Sequence, residues 1–191
     1  MPEADSSLLG RVADKLSQAP SYAEAGVKAS ILTVAAASYG SRSQDDEVTQ
    51  PTGFDPEAAA LFEAVVEGAY LVAHADHDFD AAERAAFQHV VLAACRGKVL
   101  ERQVAALLAD LEDLLKEDGL DKRCTMVARA ITKPEHAREV LRISALIAHV
   151  SGGVSAEERQ VLQKLADAFQ LDVAALNEAL EEASKVLEPN S

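Results

Sequence analysis

One pattern occurs twice in this chain, as Leu71-Val-Ala-His-Ala-Asp-His-Asp-Phe-Asp-Ala-Ala-Glu-Arg84 and as Leu146-Ile-Ala-His-Val-Ser-Gly-Gly-Val-Ser-Ala-Glu-Glu-Arg159. The two copies align without a gap, and each position of the first corresponds to the position 75 residues later. Each copy consists of the apolar end of one helix, a short acidic or glycine-containing turn, and the start of another helix. The pattern therefore predicts two related helix-turn-helix units.

The second helix of each unit begins with a capping signal. Ser155-Ala-Glu-Glu158 has the spacing of a capping box, in which a serine and the glutamate three residues later satisfy free backbone N–H groups. Asp80-Ala-Ala-Glu83 has the same spacing with Asp as the N-cap residue. Phe79 and Val154 occupy matched positions, and we expect both to fill the junction between their two helices.

The rest of the chain favours an all-α fold. Apolar residues make up 49% of the sequence, Trp is absent and aromatics are only 4%, so the core must consist mainly of Ala, Leu and Val. No segment shows the sustained alternation of a strand, and connections are short. Beside the two units, we predict helices from Ser6 or Ser7 to before Pro20, from Ser21 to Gly40, from Leu100 to Gly119, through Met126 to Ile131, and from the cap at Asp172 through Leu187.

The sequence divides near Asp55. Residues 1–54 comprise an N-terminal helical segment followed by a polar linker or surface loop from Ser41, punctuated by Pro51 and Gly53. The main helical domain is predicted over residues 55–188. Its first helix has Asp55 as N-cap and Pro56 at the first helical position.

The net charge of −14 excludes a nucleic-acid partner, because binding to a phosphate backbone requires a basic surface. It suits a cation or a basic protein partner. Cys95 and Cys124 show no metal or redox spacing, and we expect buried, reduced thiols. With no signal peptide and no apolar run of about 20 residues, we expect a cytoplasmic protein without a transmembrane segment.

Three aspartates at alternate positions, Asp76, Asp78 and Asp80, together with Glu83, form the most specific functional signal. Capping explains Asp80 and Glu83 but not the other two, and such like charges become favourable only around a cation. Oxygen ligands on a loop select Ca²⁺ or Mg²⁺ and, less well, Mn²⁺. The site is not an EF-hand, because the loop lacks that motif's glycine and its twelfth-position glutamate.

The second copy carries fewer carboxylates. Ser151 and Gly153 stand at the positions of the first two loop aspartates, which leaves Glu157 and Glu158 as candidate ligands. If the two units face each other, these glutamates complete a shared site; otherwise the second copy is only a helix junction. We expect the matched histidines, His74 and His149, to assist helix packing rather than bind metal.

Catalytic signals are missing from the sequence. It contains no nucleophile elbow and no glycine-rich phosphate loop, and His77, His89 and His136 have no catalytic partner at a recognisable spacing. Two non-enzymatic hypotheses remain. One is an interaction module that binds a divalent cation; the other is a metal-free structural scaffold whose acidic surface docks a basic protein.

From about Asp55 to Leu187 the chain resembles the TerB-like proteins of bacterial tellurite-resistance and stress operons. That family carries two copies of an apolar helix end, then Asp-Gly-x-apolar-Asp/Ser-x-Asp/Glu-Glu, then a basic residue. The matching stretches here are 75–84 and 150–159. His77 departs from the usual glycine, and Ser151 from the usual aspartate.

The resemblance implies a compact bundle of about seven to nine antiparallel helices with an acidic face that binds divalent cations. It implies no enzymatic activity. It also implies cytoplasmic assemblies with partner proteins, some of them at the inner face of the membrane, in resistance to tellurite and other stresses. The positions that carry the family's acidic pattern are Asp76, Asp80 and Glu83 in the first copy and Ser155, Glu157 and Glu158 in the second.

Overall fold

A computed structural model describes residues 6–41, 54–75, 79–151 and 153–187. Within these residues the chain is all-α, with no β-strand beyond one isolated bridge between Gln18 and Ala29. The expected fold class is therefore confirmed. The helices are α1 (Ser6–Ser17), α2 (Ile31–Gly40), α3 (Pro56–Ala73), α4 (Ala81–Ala94), α5 (Glu101–Asp118), α6 (Leu120–Ala130), α7 (Pro134–Ala148), α8 (Ala156–Ala168) and α9 (Val173–Leu187).

Helices α3 and α7 form the centre of the bundle. α3 packs against α2, α5, α6, α7 and α8, while α7 also packs against α1, α8 and α9. Both are buried around their whole circumference over part of their length, α3 from Ala64 to Val72 and α7 from Glu139 to Ala148, as expected of helices surrounded by others. They approach closely where Gly68 of α3 faces Val140 of α7, since a Cβ at Gly68 would lie 2.9 Å from Val140 Cγ1. The two helices that end in the repeated pattern thus pack directly against each other.

The N-terminal helices belong to the same hydrophobic core. Leu16 of α1 and Leu32 of α2 are fully buried in the cluster that contains the central helices. Tyr39, near the end of α2, stacks on Phe62 of α3 with 4.6 Å between ring centroids. The division of the chain at residue 55 stays a prediction, and most of the predicted linker lies outside the described residues.

The start of α2 differs from the sequence prediction. The helix begins at Ile31 and not at Ser21, because residues 21–30 form turns in which Gly26 has a φ of +100°. Ser30 is the N-cap, and the carboxylate of Glu139 on α7 accepts a hydrogen bond from the Ile31 N–H at 2.9 Å. The predicted start was wrong because apolar spacing continues across a turn that only a left-handed glycine can form.

Candidate functional site

The first junction joins α3 to α4. α3 ends at Ala73, and Asp80 caps α4 by accepting hydrogen bonds at 2.8 Å through Oδ1 from the N–H groups of Ala82 and Glu83. The Glu83 carboxylate returns one bond, accepting from the Asp80 N–H through Oε2 at 3.1 Å. The predicted capping box is confirmed. It fixes the carboxylates of Asp80 and Glu83 at the start of α4.

The second junction repeats this arrangement between α7 and α8. α7 ends at Ala148, 75 residues after the end of α3, and Ser155 caps α8. Ser155 Oγ accepts from the Glu158 N–H at 3.1 Å, and Glu158 Oε2 accepts from the Ser155 N–H at 2.7 Å. This capping box is also confirmed. Glu158 is buried by its role in the cap, whereas Glu157 is exposed on the first turn of α8.

Phe79 fills the first junction, as predicted. Its ring centroid lies 5.6 Å from that of Tyr70 and 5.5 Å from that of His74 on the α3 side, and 6.0 Å from that of Phe87 on α4. The Arg84 guanidinium lies 5.9 Å from the Phe79 centroid. His74 is thus part of an aromatic cluster that holds the two helices together.

The structure describes only some of the predicted metal ligands. Asp76 and Asp78 lie outside the described residues. Asp80 and Glu83 each use one carboxylate oxygen in the capping box, and neither Asp80 Oδ2 nor Glu83 Oε1 forms a hydrogen bond with a described residue. Each of the two side chains therefore keeps one oxygen that the described hydrogen bonds do not use.

The candidates of the second copy are not gathered around the first. Among the residues that the structure describes, no three or more His, Cys, Asp or Glu side chains are grouped so that they could hold a metal ion. Glu157 and Glu158 therefore form no such group with Asp80 and Glu83. The described carboxylates alone do not constitute a metal centre, and a site at the first junction requires the loop aspartates.

Sequence reasoning did not identify an ion pair beside the first junction. Arg84, the basic residue that closes the first copy, pairs with Glu112 of α5, which also accepts a hydrogen bond from Lys116 at 2.7 Å. These contacts, first that of Lys116, lower the pKa of Glu112 below its ordinary value. Burial raises the pKa of the nearby Tyr70 to about 12, so this phenol stays neutral. The basic residue at the end of the first copy therefore anchors α4 to α5.

His149 occupies the second junction in a buried position. Its Nδ1 lies 3.0 Å from the carbonyl oxygen of Ala145, so the neutral ring donates to the backbone from this nitrogen. Burial lowers the pKa of His149, although the Ala145 carbonyl acts in the opposite direction. The residue packs as expected of a structural histidine.

We expect acid to destabilise the protein through His149. Because its pKa is lower in the folded state than in the unfolded chain, the unfolded state binds more protons below about pH 6.5, and stability falls as the pH decreases from 7 towards 5. The check is urea unfolding at several pH values for the wild type and His149→Gln. Between pH 7 and pH 5, the free energy of unfolding should decrease less in His149→Gln than in His89→Gln, which removes an exposed histidine. Equal slopes against pH in the two variants would contradict the expectation.

Comparison with known families agrees with this geometry. The family model of the tellurite resistance protein TerB matches residues 62–181, which include both junctions. The chain belongs to the TerB family. TerB domains are helical and generally non-enzymatic. Comparisons with curated proteins and with solved structures give no match.

The TerB match leaves α1 and α2 outside and ends within α9. It confirms the family that the two copies of the pattern predicted. No helix among the described residues combines the length and the apolar character needed to cross a bilayer.

Proposed function

We propose that this TerB-family chain is a non-enzymatic interaction module of a cytoplasmic tellurite-resistance or stress-response assembly, and that it binds one divalent cation in the acidic loop, residues 76–83. The observation that carries the proposal is the first capping box. It leaves Asp80 Oδ2 and Glu83 Oε1 without a hydrogen-bond partner among the described residues, and Asp80 follows Asp78 by two positions in the sequence. Protein partners, including those at the inner face of the membrane, belong to the proposal as well.

The chemistry of these ligands limits the cation and its affinity. Carboxylate oxygens from Asp76, Asp78, Asp80 and Glu83 suit Ca²⁺ or Mg²⁺ and, less well, Mn²⁺. The positive end of the α4 helix dipole opposes a cation at this point, so the carboxylates must outweigh it. We therefore expect weak binding, with a Kd of about 1 mM, similar to that of low-affinity calcium modules.

Cation binding would change the surface offered to a partner. Without a cation, the loop repels negatively charged surfaces and attracts basic ones; with a cation, much of that charge is neutralised. The same residues also act as structural caps. Asp80 and Glu83 would thus contribute both to the charge of the loop and to the cap of α4.

A metal-free scaffold is the alternative, and the two capping boxes favour it. At both junctions the N–H groups of the cap residue and of the glutamate three residues later are satisfied without any ion. On this hypothesis the acidic loop docks a basic protein directly. The unfolding temperature would then be the same with and without divalent cations.

Thermal unfolding distinguishes the two hypotheses. A ligand with a Kd of about 1 mM, present at about 10 mM, stabilises the native state by about 1.4 kcal/mol. For a chain of this size that corresponds to an increase in Tm of about 3–6 °C. We expect this increase when the Tm of the wild type in divalent cation is compared with its Tm in EDTA. We expect no increase in Asp76→Asn/Asp78→Asn.

The matched control is Asp110→Asn/Glu117→Gln, which removes the same charge from exposed positions on α5. It should respond to cations as the wild type does. If the wild type gives the same Tm in EDTA, Ca²⁺, Mg²⁺ and Mn²⁺, the cation hypothesis is wrong and the scaffold hypothesis takes its place.

A further inference from the structure

A cleft of about 410 Å³ lies among α1, the turn segment 18–30, α7 and α9. None of its described lining residues belongs to either junction. Its lining contains four cations, Lys15, Arg138, Arg142 and Lys185, against three glutamates, which is a surplus of one positive charge in a chain whose net charge is −14. Its volume falls within the range of ordinary small-molecule sites.

Arg142 forms the floor of the cleft. Its side chain is only 1% exposed, and its terminal nitrogens donate to the carbonyl oxygens of Lys15 at 3.0 Å and Gln18 at 3.4 Å. A buried guanidinium is a poor source of fold stability, because well-packed apolar side chains of similar volume often stabilise the folded state as much or more. A cation kept here at the bottom of a cleft is suited to receiving an anion.

Glu182 lies against Arg142 but does not satisfy the hydrogen-bonding capacity of its Nε–H group. Its Oε1 lies 2.9 Å from Arg142 Nε and 3.1 Å from Lys15 Nζ. Despite the short distance, the Arg142 N–H is not aligned with this oxygen, and neither atom makes a hydrogen bond in the described structure. An anion whose oxygen met the N–H along its axis would gain a charge-assisted hydrogen bond that Glu182 does not supply.

The mouth of the cleft offers further donors. Arg138 lies 4.4 Å from the centroid of the Tyr22 ring and pairs with Glu178 on α9 at 2.6 Å. Burial, followed by the neighbouring carboxylates, raises the pKa of Tyr22 to about 12, so its hydroxyl remains a neutral donor. Lys185 pairs with Glu181 at 3.1 Å in an exposed contact that water and salt weaken.

We propose that this cleft binds a small anion with phosphate or carboxylate oxygens, which displaces the Glu182 side chain from Arg142 and Lys15. Glu182 acts as an internal competitor of the ligand. Lys15 and Arg142 are the primary contacts, and Tyr22 and Arg138 supply further donors. The site uses residues different from those of the acidic loop, so each of the two proposals can fail without the other.

The test is isothermal titration with inorganic phosphate and, separately, with malonate, on protein stripped of metal with EDTA and then dialysed into EDTA-free buffer, at constant ionic strength. Removing the competitor in Glu182→Gln should tighten anion binding about fivefold, and removing a primary contact in Lys15→Gln should weaken it about fivefold, each equivalent to about 1 kcal/mol. Lys164→Gln, which removes an exposed cation on α8 outside the cleft, should leave the Kd unchanged.

Tight binding of phosphate alone would identify a phosphate ligand, whereas binding of both probes would identify a general carboxylate and phosphate site. The proposal is overturned if neither the wild type nor Glu182→Gln binds either anion saturably. It is also overturned if both are bound but the Kd does not respond to Glu182→Gln or Lys15→Gln. Far-UV circular dichroism establishes that each variant is folded.

Discussion

Replacing Arg123 by methionine is expected to lower the free energy of unfolding by about 3 kcal/mol, because it leaves a buried carboxylate without its cation. Arg123 on α6 donates to Glu67 on α3 at 2.6 Å and to Asp118, at the end of α5, at 3.0 Å. Glu67 is only 8% exposed. Urea unfolding measures the loss directly, and the Tm should decrease by about 6–12 °C.

Two further variants show whether the unpaired charge is the cause. Lys122→Met removes an exposed lysine from the same network and should change stability by less than about 1 kcal/mol. Glu67→Leu/Arg123→Met removes both charges and should recover most of the lost stability. If Arg123→Met is no more destabilising than Lys122→Met, the ion pair does not stabilise the α3–α6 interface.

The second large effect is expected for Gly40→Ala, at the end of α2. A Cβ at this position would lie 1.7 Å from the carbonyl oxygen of Lys98, which is backbone and cannot turn aside. The end of α2 would have to move away from the α4–α5 connection, disturbing the stacking of Tyr39 on Phe62 and the bond from Gln103 Nε2 to the Gly40 carbonyl. We expect a loss of about 3 kcal/mol, at the upper end for overpacking.

Gly10→Ala is the matched control for this substitution. Gly10 lies in α1, and a Cβ there would meet no atom within 4 Å. Alanine is the better helix former, so this variant should gain up to about 1 kcal/mol. The two changes are chemically identical and should shift the urea midpoint in opposite directions. Two shifts of the same sign would contradict the packing described for α2.

Local signals in the sequence were sufficient to predict the helix junctions. The capping boxes at Asp80 and Ser155 depend on residues three positions apart, so their geometry follows from the sequence once the helix is formed. The placement of Phe79 follows from its position between two predicted helices. The start of α2 was missed because apolar spacing continues through the turn at Gly26, and because the Glu139 carboxylate that binds the Ile31 N–H comes from a helix more than a hundred residues later.

Charges buried between distant helices could not be predicted in the same way. Arg123 lies 56 residues from Glu67 in the sequence, and Arg142 lies 40 residues from Glu182. On a helical wheel these residues resemble ordinary solvated charges, and only tertiary packing brings each pair together. The candidate cation site stays a prediction, since Asp76 and Asp78 lie outside the described residues.

The cleft and the acidic loop lead to different expectations for this TerB-family chain. The loop is expected to respond to divalent cations and the cleft to anions. A chain with both sites could combine two chemical signals on one helical module. The two responses are separable, because Asp76→Asn/Asp78→Asn should leave anion binding intact and Lys15→Gln should leave cation binding intact.

Isothermal titration of Ca²⁺ and Mg²⁺ into the EDTA-stripped protein tests the proposed function most directly. We expect one cation per wild-type chain with a Kd of about 1 mM, unchanged binding by Glu157→Gln, and no saturable binding by Asp76→Asn/Asp78→Asn. The absence of saturable binding in the wild type, or the same stoichiometry and Kd in the double variant, would contradict a cation site in the acidic loop.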